Sequence, residues 1–136
     1  MSDGSGDLSH YLVWNSGNPY ISAGGLVSTV TDMMKYAQMQ MDELPSYLSL
    51  SHTVIIQHDP VSVPELDIRV DAYGLGWEID TVHNNILHGG SNGNYNCFVI
   101  FDTSRKIAVV VLSNMAVQYR ANAQAIGAAK LKELKN

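Results

Sequence analysis

Residues Leu87–Tyr95, LHGGSNGNY, place an imidazole directly ahead of two glycines and a Ser/Asn/Gly run, and the chain then enters the apolar stretch Cys97–Phe101. A neutral imidazole donates through one ring nitrogen and accepts through the other, and as imidazolium it is a cation. Glycine beside it leaves bare backbone that a second molecule can approach closely. A linker has no use for a core strand immediately behind it, whereas an edge that does chemistry does. His88 and the glycines behind it are therefore candidates for one edge of a site. Cys97 is the only cysteine, which excludes an internal disulfide and a two-cysteine metal site. Because it opens an apolar run, it is predicted to be a buried core thiol, not a reactive one. His83 and His88 lie five apart, His52 and His58 six apart, with Asp59 adjacent. On strands or loops these spacings reproduce no zinc motif, so neither a metal nor a cofactor is expected.

The elements that must hold this edge are readable around it. In PYISAGGLVSTVTDMMKYAQMQM a glycine turn leads into a helix with Ser28 or Thr29 as N-cap and Asp32 in the first turn. Val30, Met33, Met34, Ala37 and Met41 fall on one stripe at helical spacing, which predicts a core-facing helix. A short helix opened by Pro45 is expected over Leu44–His52, and His58–Asp71, with Pro60 and Pro64, reads as a loop. YGLGWEI, NILHGG, NCFVIFD and KIAVVVLSN then read as four short strands of an antiparallel meander, the last two joined by a tight TSR turn. Trp77 is placed in the core, and Asp102 and Asn114 at strand ends where turn chemistry explains them. Ile107–Leu112 does not alternate apolar with polar, so both faces of that strand are expected to be covered. Ala116–Leu134 is a long alanine-rich helix that can cover one face, and the earlier helices can cover the other. The predicted fold class is α/β (α+β): an antiparallel sheet of about four strands with helices on both faces.

The totals agree with one globular domain. The chain has 136 residues, 46% hydrophobic and 15% charged, with a formal net charge of −5. No basic stripe with interleaved aromatics exists, so nucleic acid is not an expected partner. The longest apolar run is far shorter than the ~20 residues of a membrane span. Residues 1–19 read as a flexible leader or an expression-derived start without a secretory signal, and 20–136 as the folded segment.

Three segments, in order, carry a resemblance: SAGGLVSTVTDMMKYAQ, YGLGWEI and HGGSNGNYNCFVIFDTSRKIAVVVLSN. Together they resemble the C-terminal portion of the serine β-lactamase-like superfamily, in the branch of class C β-lactamases, D-alanyl-D-alanine carboxypeptidases (penicillin-binding proteins) and related esterases. The resemblance implies a partial β-lactamase/transpeptidase-like fold. It makes His88-Gly89-Gly90 the third catalytic motif, Lys-Thr-Gly or His-x-Gly in this family. It implies that His88 polarises the site and attracts an anionic substrate, that Gly90 lets the substrate approach, and that the Ser91 N–H is an oxyanion-hole donor. Gly89 and Asn92 would border the substrate. Gly89 stands where many relatives carry Thr or Ser, which leaves esters and amides open beside β-lactams. Asn94 stands where relatives often have glycine.

The family's nucleophile is absent from this sequence. No serine is followed three residues later by lysine, and no tyrosine two residues later by asparagine. Tyr20-Ile21-Ser22 matches Tyr-x-Ser only by chance, since it abuts the AGGL turn. Without an activated nucleophile the hydroxyl is a poor attacker. The expectation is therefore a C-terminal segment of a serine hydrolase, inactive alone. Its partners would be a small-molecule or peptidoglycan-type substrate and the N-terminal segment of the same fold, whose absence leaves an open sheet edge. The alternative is a non-catalytic binding or interaction module derived from that fold. The resemblance also implies a location outside the bacterial cytoplasmic membrane.

Overall fold

The fold is described from a computed structural model, which covers residues 17–63, 68–92, 95–114 and 122–136. Most of the predicted leader, together with Asn94, lies outside the described residues. The element order is α1 (Ile21–Gly24), α2 (Val30–Asp42), α3 (Leu48–Ser51), β1 (Ile56–Val63), β2 (Ile68–Tyr73), β3 (Glu78–Asp80), β4 (Asn85–Asn92), β5 (Tyr95–Asp102), β6 (Ile107–Ser113) and α4 (Ala123–Lys135). The strands form one sheet in sequence order, β1 to β6, and every neighbouring pair is antiparallel.

The α+β class holds, but with six strands instead of about four. The two extra strands lie in the stretch read as a loop because of its prolines. Pro60 sits within β1, an outer strand of the sheet, and the register against β2 shifts between Gln57 and Val61. An edge strand tolerates proline, which has no N–H to give, and an irregularity there absorbs the break in pairing.

Period-2 alternation splits the core into two layers. Phe98 and Ile100 of β5 join Leu87, Val70, Ala123 and Leu131 on one face of the sheet. Val99 and Phe101 join Ile86, Trp77 and Met41 on the other. Helix α4 contacts β5 and β6 on the first face, and α2 contacts the same strands on the second. The approach of α4 depends on Gly127, because a Cβ there would run into the ring of Phe98. Its cap is Asn122, whose side chain accepts from the Gln124 N–H at 2.9 Å, with residues 115–121 outside the described set. Helix α2 is capped by Thr29, which accepts from Asp32 N–H at 3.2 Å, and ends at Glu43 in the left-handed region at φ 53°. Its apolar stripe is only partly used. Ala37 and Met41 are buried, whereas Val30 and Met34 are exposed among the described residues.

The far ends of the hairpins are tied together by carboxylates. Asp80 accepts from the N–H groups of Val82 and His83 and from His83 Nδ1 at 2.7 Å. Asp102 accepts from Ser104 N–H, Ser104 Oγ and Arg105 N–H, the turn chemistry its position predicts. Lys135, in the last turn of α4, bonds Asp102 Oδ2 at 2.6 Å and the Asn85 side chain at 2.6 Å, and so locks the helix to both turns.

Candidate active-site edge

Strand β4 has a neighbour on both sides for only part of its length. On the β3 side the register is Glu78 with Leu87, Ile79 with Ile86 and Asp80 with Asn85, and it stops there. On the β5 side the ladder continues through His88, Gly89, Gly90, Ser91 and Asn92, which face Val99, Phe98, Cys97, Asn96 and Tyr95. Thus the five predicted site residues are the ones whose outer edge no described strand takes up. In an antiparallel ladder, backbone N–H and C=O groups alternate between the two edges, so this rim presents donors and acceptors that no described strand takes up.

Their side chains divide between the two faces. His88 and Gly90 lie on the α2 face, in line with Ile86, and both are exposed. The rung Gly90–Cys97–Leu112 crosses three strands beside them, and Cys97 and Leu112 are exposed as well. Helix α2 covers Val99 and Phe101 farther along, but among the described residues this corner of the face is left open. Gly89 and Ser91 turn to the α4 face. A Cβ on Gly89 would come within 2.6 Å of Gln124 Nε2 and 3.2 Å of Phe98 Cδ2. A larger residue at position 89 would therefore displace Gln124. For Asn92 only the backbone, paired with Tyr95, is described. The rim accordingly brings together His88, Gly90 and the backbone of Ser91, and it directs the Cα of Gly89 to the other side.

Cys97 corrects the reading of a buried core thiol. Its place in an apolar run is right, but its face is the one that α2 does not reach at this end of β5. The sulfur stands 3.5 Å from where a Gly90 Cβ would be. Partial burial of the sulfur pushes the thiol up, opposed by a hydrogen bond from the Gly90 N–H. Of the metal alternatives, no group of three or more His, Cys, Asp or Glu among the described residues is placed to hold an ion.

Behind the rim lies an aromatic support that residue spacing did not predict. Trp77 is 7% exposed. Its ring meets Phe101 at 5.1 Å and 90°, His52 at 6.0 Å, Tyr36 at 6.5 Å and His88 at 6.3 Å and 83°. His52 is held in turn by Gln40 Oε1 at 2.9 Å and Glu43 Oε1 at 3.2 Å. Burial pushes the Tyr36 hydroxyl up, with a Gln40 hydrogen bond acting the other way. The signal that could have located the support is YGLGW itself: Gly76, at φ +77°, turns the chain so that Trp77 enters the core.

Comparison with known proteins places these observations. The chain is 22% identical over 109 residues to Protein flp of Staphylococcus aureus, in strain NCTC 8325 / PS 47 and equally in strains COL and N315. The alignment covers 80% of this chain and 20% of those proteins, so the chain spans about a fifth of the length of the curated relatives it matches. The profile of the Beta-lactamase family matches residues 2–131, nearly the whole chain and across the His88 rim, and the protein belongs to that family, with the serine hydrolase type of fold it implies.

Proposed function

We propose that this chain supplies the His88 wall of an acyl-transfer site whose attacking serine lies on another stretch of polypeptide. One observation carries the reading. Among the described residues the exposed imidazole and the one-sided strand His88–Asn92 coincide, on a face of the sheet left open at this corner. Among the described residues no helix is long and apolar enough to cross a membrane.

The roles follow from chemistry. An acyl substrate laid along the rim would pair with the backbone as an extra strand does, because Gly90 interposes no side chain on the open face. His88 would donate to, or as imidazolium attract, an anionic group on the substrate. The Ser91 N–H would be one oxyanion donor and the nucleophile's own N–H the second. Losing one such donor typically weakens transition-state binding by about 3–4 kcal/mol. Gly89 stands where many relatives carry Thr or Ser, so esters and amides, including D-Ala-D-Ala peptides, stand beside β-lactams as substrates. Residues 20–136 would form the C-terminal segment of the hydrolase domain, with residues 1–19 leading into it, and the whole protein would act outside the cytoplasmic membrane.

The partner this reading requires is the segment bearing Ser-x-x-Lys. Strand β6 is the last strand of the described sheet and offers an edge on which that segment could pair. The absence of Ser-x-x-Lys from the sequence equally favours the second reading, a binding module that keeps the groove without the chemistry. The upstream reading frame separates the two, since a Ser-x-x-Lys in frame supports the hydrolase. The direct test uses nitrocefin and a fluorescent penicillin. The chain alone should neither turn over the first nor be labelled by the second, and co-expression with the upstream segment should restore labelling that His88→Ala weakens. Covalent labelling of the isolated chain would overturn the reading.

A further inference from the structure

We infer that Trp77 is the positioning residue for His88, standing where the β3–β4 ladder ends and bracing the imidazole over the open rim. The inference rests on the reading of His88 as a site residue. Its premise is a coincidence of register. Extending the pairing of Glu78 with Leu87 by one residue would set Trp77 opposite His88. That rung does not form. Gly76, in the left-handed region, turns the chain just before Trp77, and the Trp77 carbonyl closes the β2–β3 hairpin by accepting from the Gly74 N–H at 2.9 Å. By strand alternation the Trp77 backbone faces β2, and the residue that would next bond β4, Gly76, is carried away by the turn, so from His88 onward β4 is released on that side.

The indole takes up the contact that the backbone gives away. It lies on the same face as His88, edge to face at 6.3 Å and 83°. His88 is exposed, and a solvent-facing histidine on a strand populates several χ1 rotamers. One wall of packed aromatic surface removes the rotamers that would enter it. The wall itself is fixed, because Trp77 is buried against Phe101 and His52, and His52 is clamped by Gln40 and Glu43 from the end of α2. Positional information thus runs from the C-terminal end of α2 through two rings to the imidazole.

The test is proton–carbon NMR of the histidine rings in the 136-residue chain, with His88 assigned by the signal that disappears in His88→Gln. In the parent, the indole ring current displaces the His88 ring protons. In Trp77→Leu that displacement should vanish and the His88 signals should move toward those of a free histidine. In Trp77→Phe, which keeps an aromatic in the same packing, part of it should survive. His83 is the internal reference, since its Nδ1 is bound to Asp80 and it lies at the opposite end of the β4 hairpin. If Trp77→Leu does not fold, Trp77→Phe alone decides. His88 signals that move no more than those of His83 overturn the inference. In the complemented enzyme, Trp77→Leu should lower kcat/KM by about two- to tenfold, the scale of releasing one ordered side chain, with Trp77→Phe restoring most of it. An NMR shift without that kinetic loss leaves the bracing intact and counts against the acyl-transfer reading, whereas an absent NMR shift sinks the bracing alone.

Discussion

Lys135 offers the sharpest test of what joins the helical layer to the sheet. Its ammonium bonds Asp102 Oδ2 and Asn85 Oδ1, each at 2.6 Å, and the His83 carbonyl at 2.9 Å. The side chains of Lys135 and Asp102 are 14% and 2% exposed. Burial pushes the Asp102 carboxyl up, but Lys135, the Ser104 hydroxyl and the Arg105 N–H together hold it below the usual carboxylate range. Lys135→Met keeps the aliphatic stem and removes three hydrogen bonds and the counter-charge. Removing one partner of a buried pair costs about 3–5 kcal/mol. Asp102 Oδ1 keeps its bonds from Ser104 N–H, Ser104 Oγ and Arg105 N–H at 2.9, 2.6 and 3.0 Å, so the lower end applies, about 3 kcal/mol. For a chain of this length that corresponds to a fall in Tm of about 9–15 °C.

The pH dependence has a definite sign. A carboxyl whose pKa is lower in the folded than in the unfolded chain contributes fully above the unfolded value of about 3.9, and the contribution fades as pH falls through the folded value. The deficit of Lys135→Met should therefore be largest at neutral pH, shrink as pH falls below about 4, and be lost only once pH passes below the parent's lowered folded value, where both proteins protonate Asp102. Urea unfolding followed by tryptophan fluorescence measures it, with m unchanged. The double variant Asp102→Asn/Lys135→Met should be less destabilised than the sum of the single variants by about 1–3 kcal/mol. A loss below about 1 kcal/mol at neutral pH, or a deficit that stays constant into acid, would refute the reasoning.

Asp71 accepts from Thr81 N–H at 2.9 Å, Thr81 Oγ1 at 2.7 Å and Arg69 at 2.9 Å, and its pKa is pulled down to about 2, chiefly by the two Thr81 bonds. Its contribution is lost between about pH 4 and pH 2, so Asp71→Asn should flatten the acid limb of a stability–pH curve in that window. Gly127→Ala drives a methyl into the Phe98 ring and should cost about 1–3 kcal/mol, whereas Gly90→Ala meets only Cys97 Sγ at 3.5 Å and should stay within about 0.5 kcal/mol. Paired thermal melts check both, and equal losses would contradict the assignment of the two faces. Cys97 should react with a disulfide reagent in the folded chain, because it is exposed, but more slowly than a free thiol at the same pH, because its pKa is raised. Reaction only on unfolding would contradict its placement.

The candidate rim was legible in the sequence because its signal is local. An imidazole, two glycines and an apolar run in immediate succession predict a strand, and the capped helix α2 and the hairpins from YGLGW onward follow from equally short-range rules of spacing and turn chemistry. The prolines misled the reading of β1 and β2, since a proline argues against a strand only where its N–H would be needed, and whether a strand lies at the edge of a sheet is not a property of its own residues. Cys97 misled for the same reason. Its apolar neighbours set its period, but which face a helix covers, and how far along, depends on where α2 lands. The side of β4 to which Gly89 turns, the point at which β3 stops pairing, and the four rings gathered on Trp77 join residues up to 65 positions apart, from Tyr36 to Phe101. Local sequence determined that the candidate residues His88–Asn92 sit on a strand. Only tertiary packing decided which of them share an open face, because burial is fixed by the partner element and not by the residue.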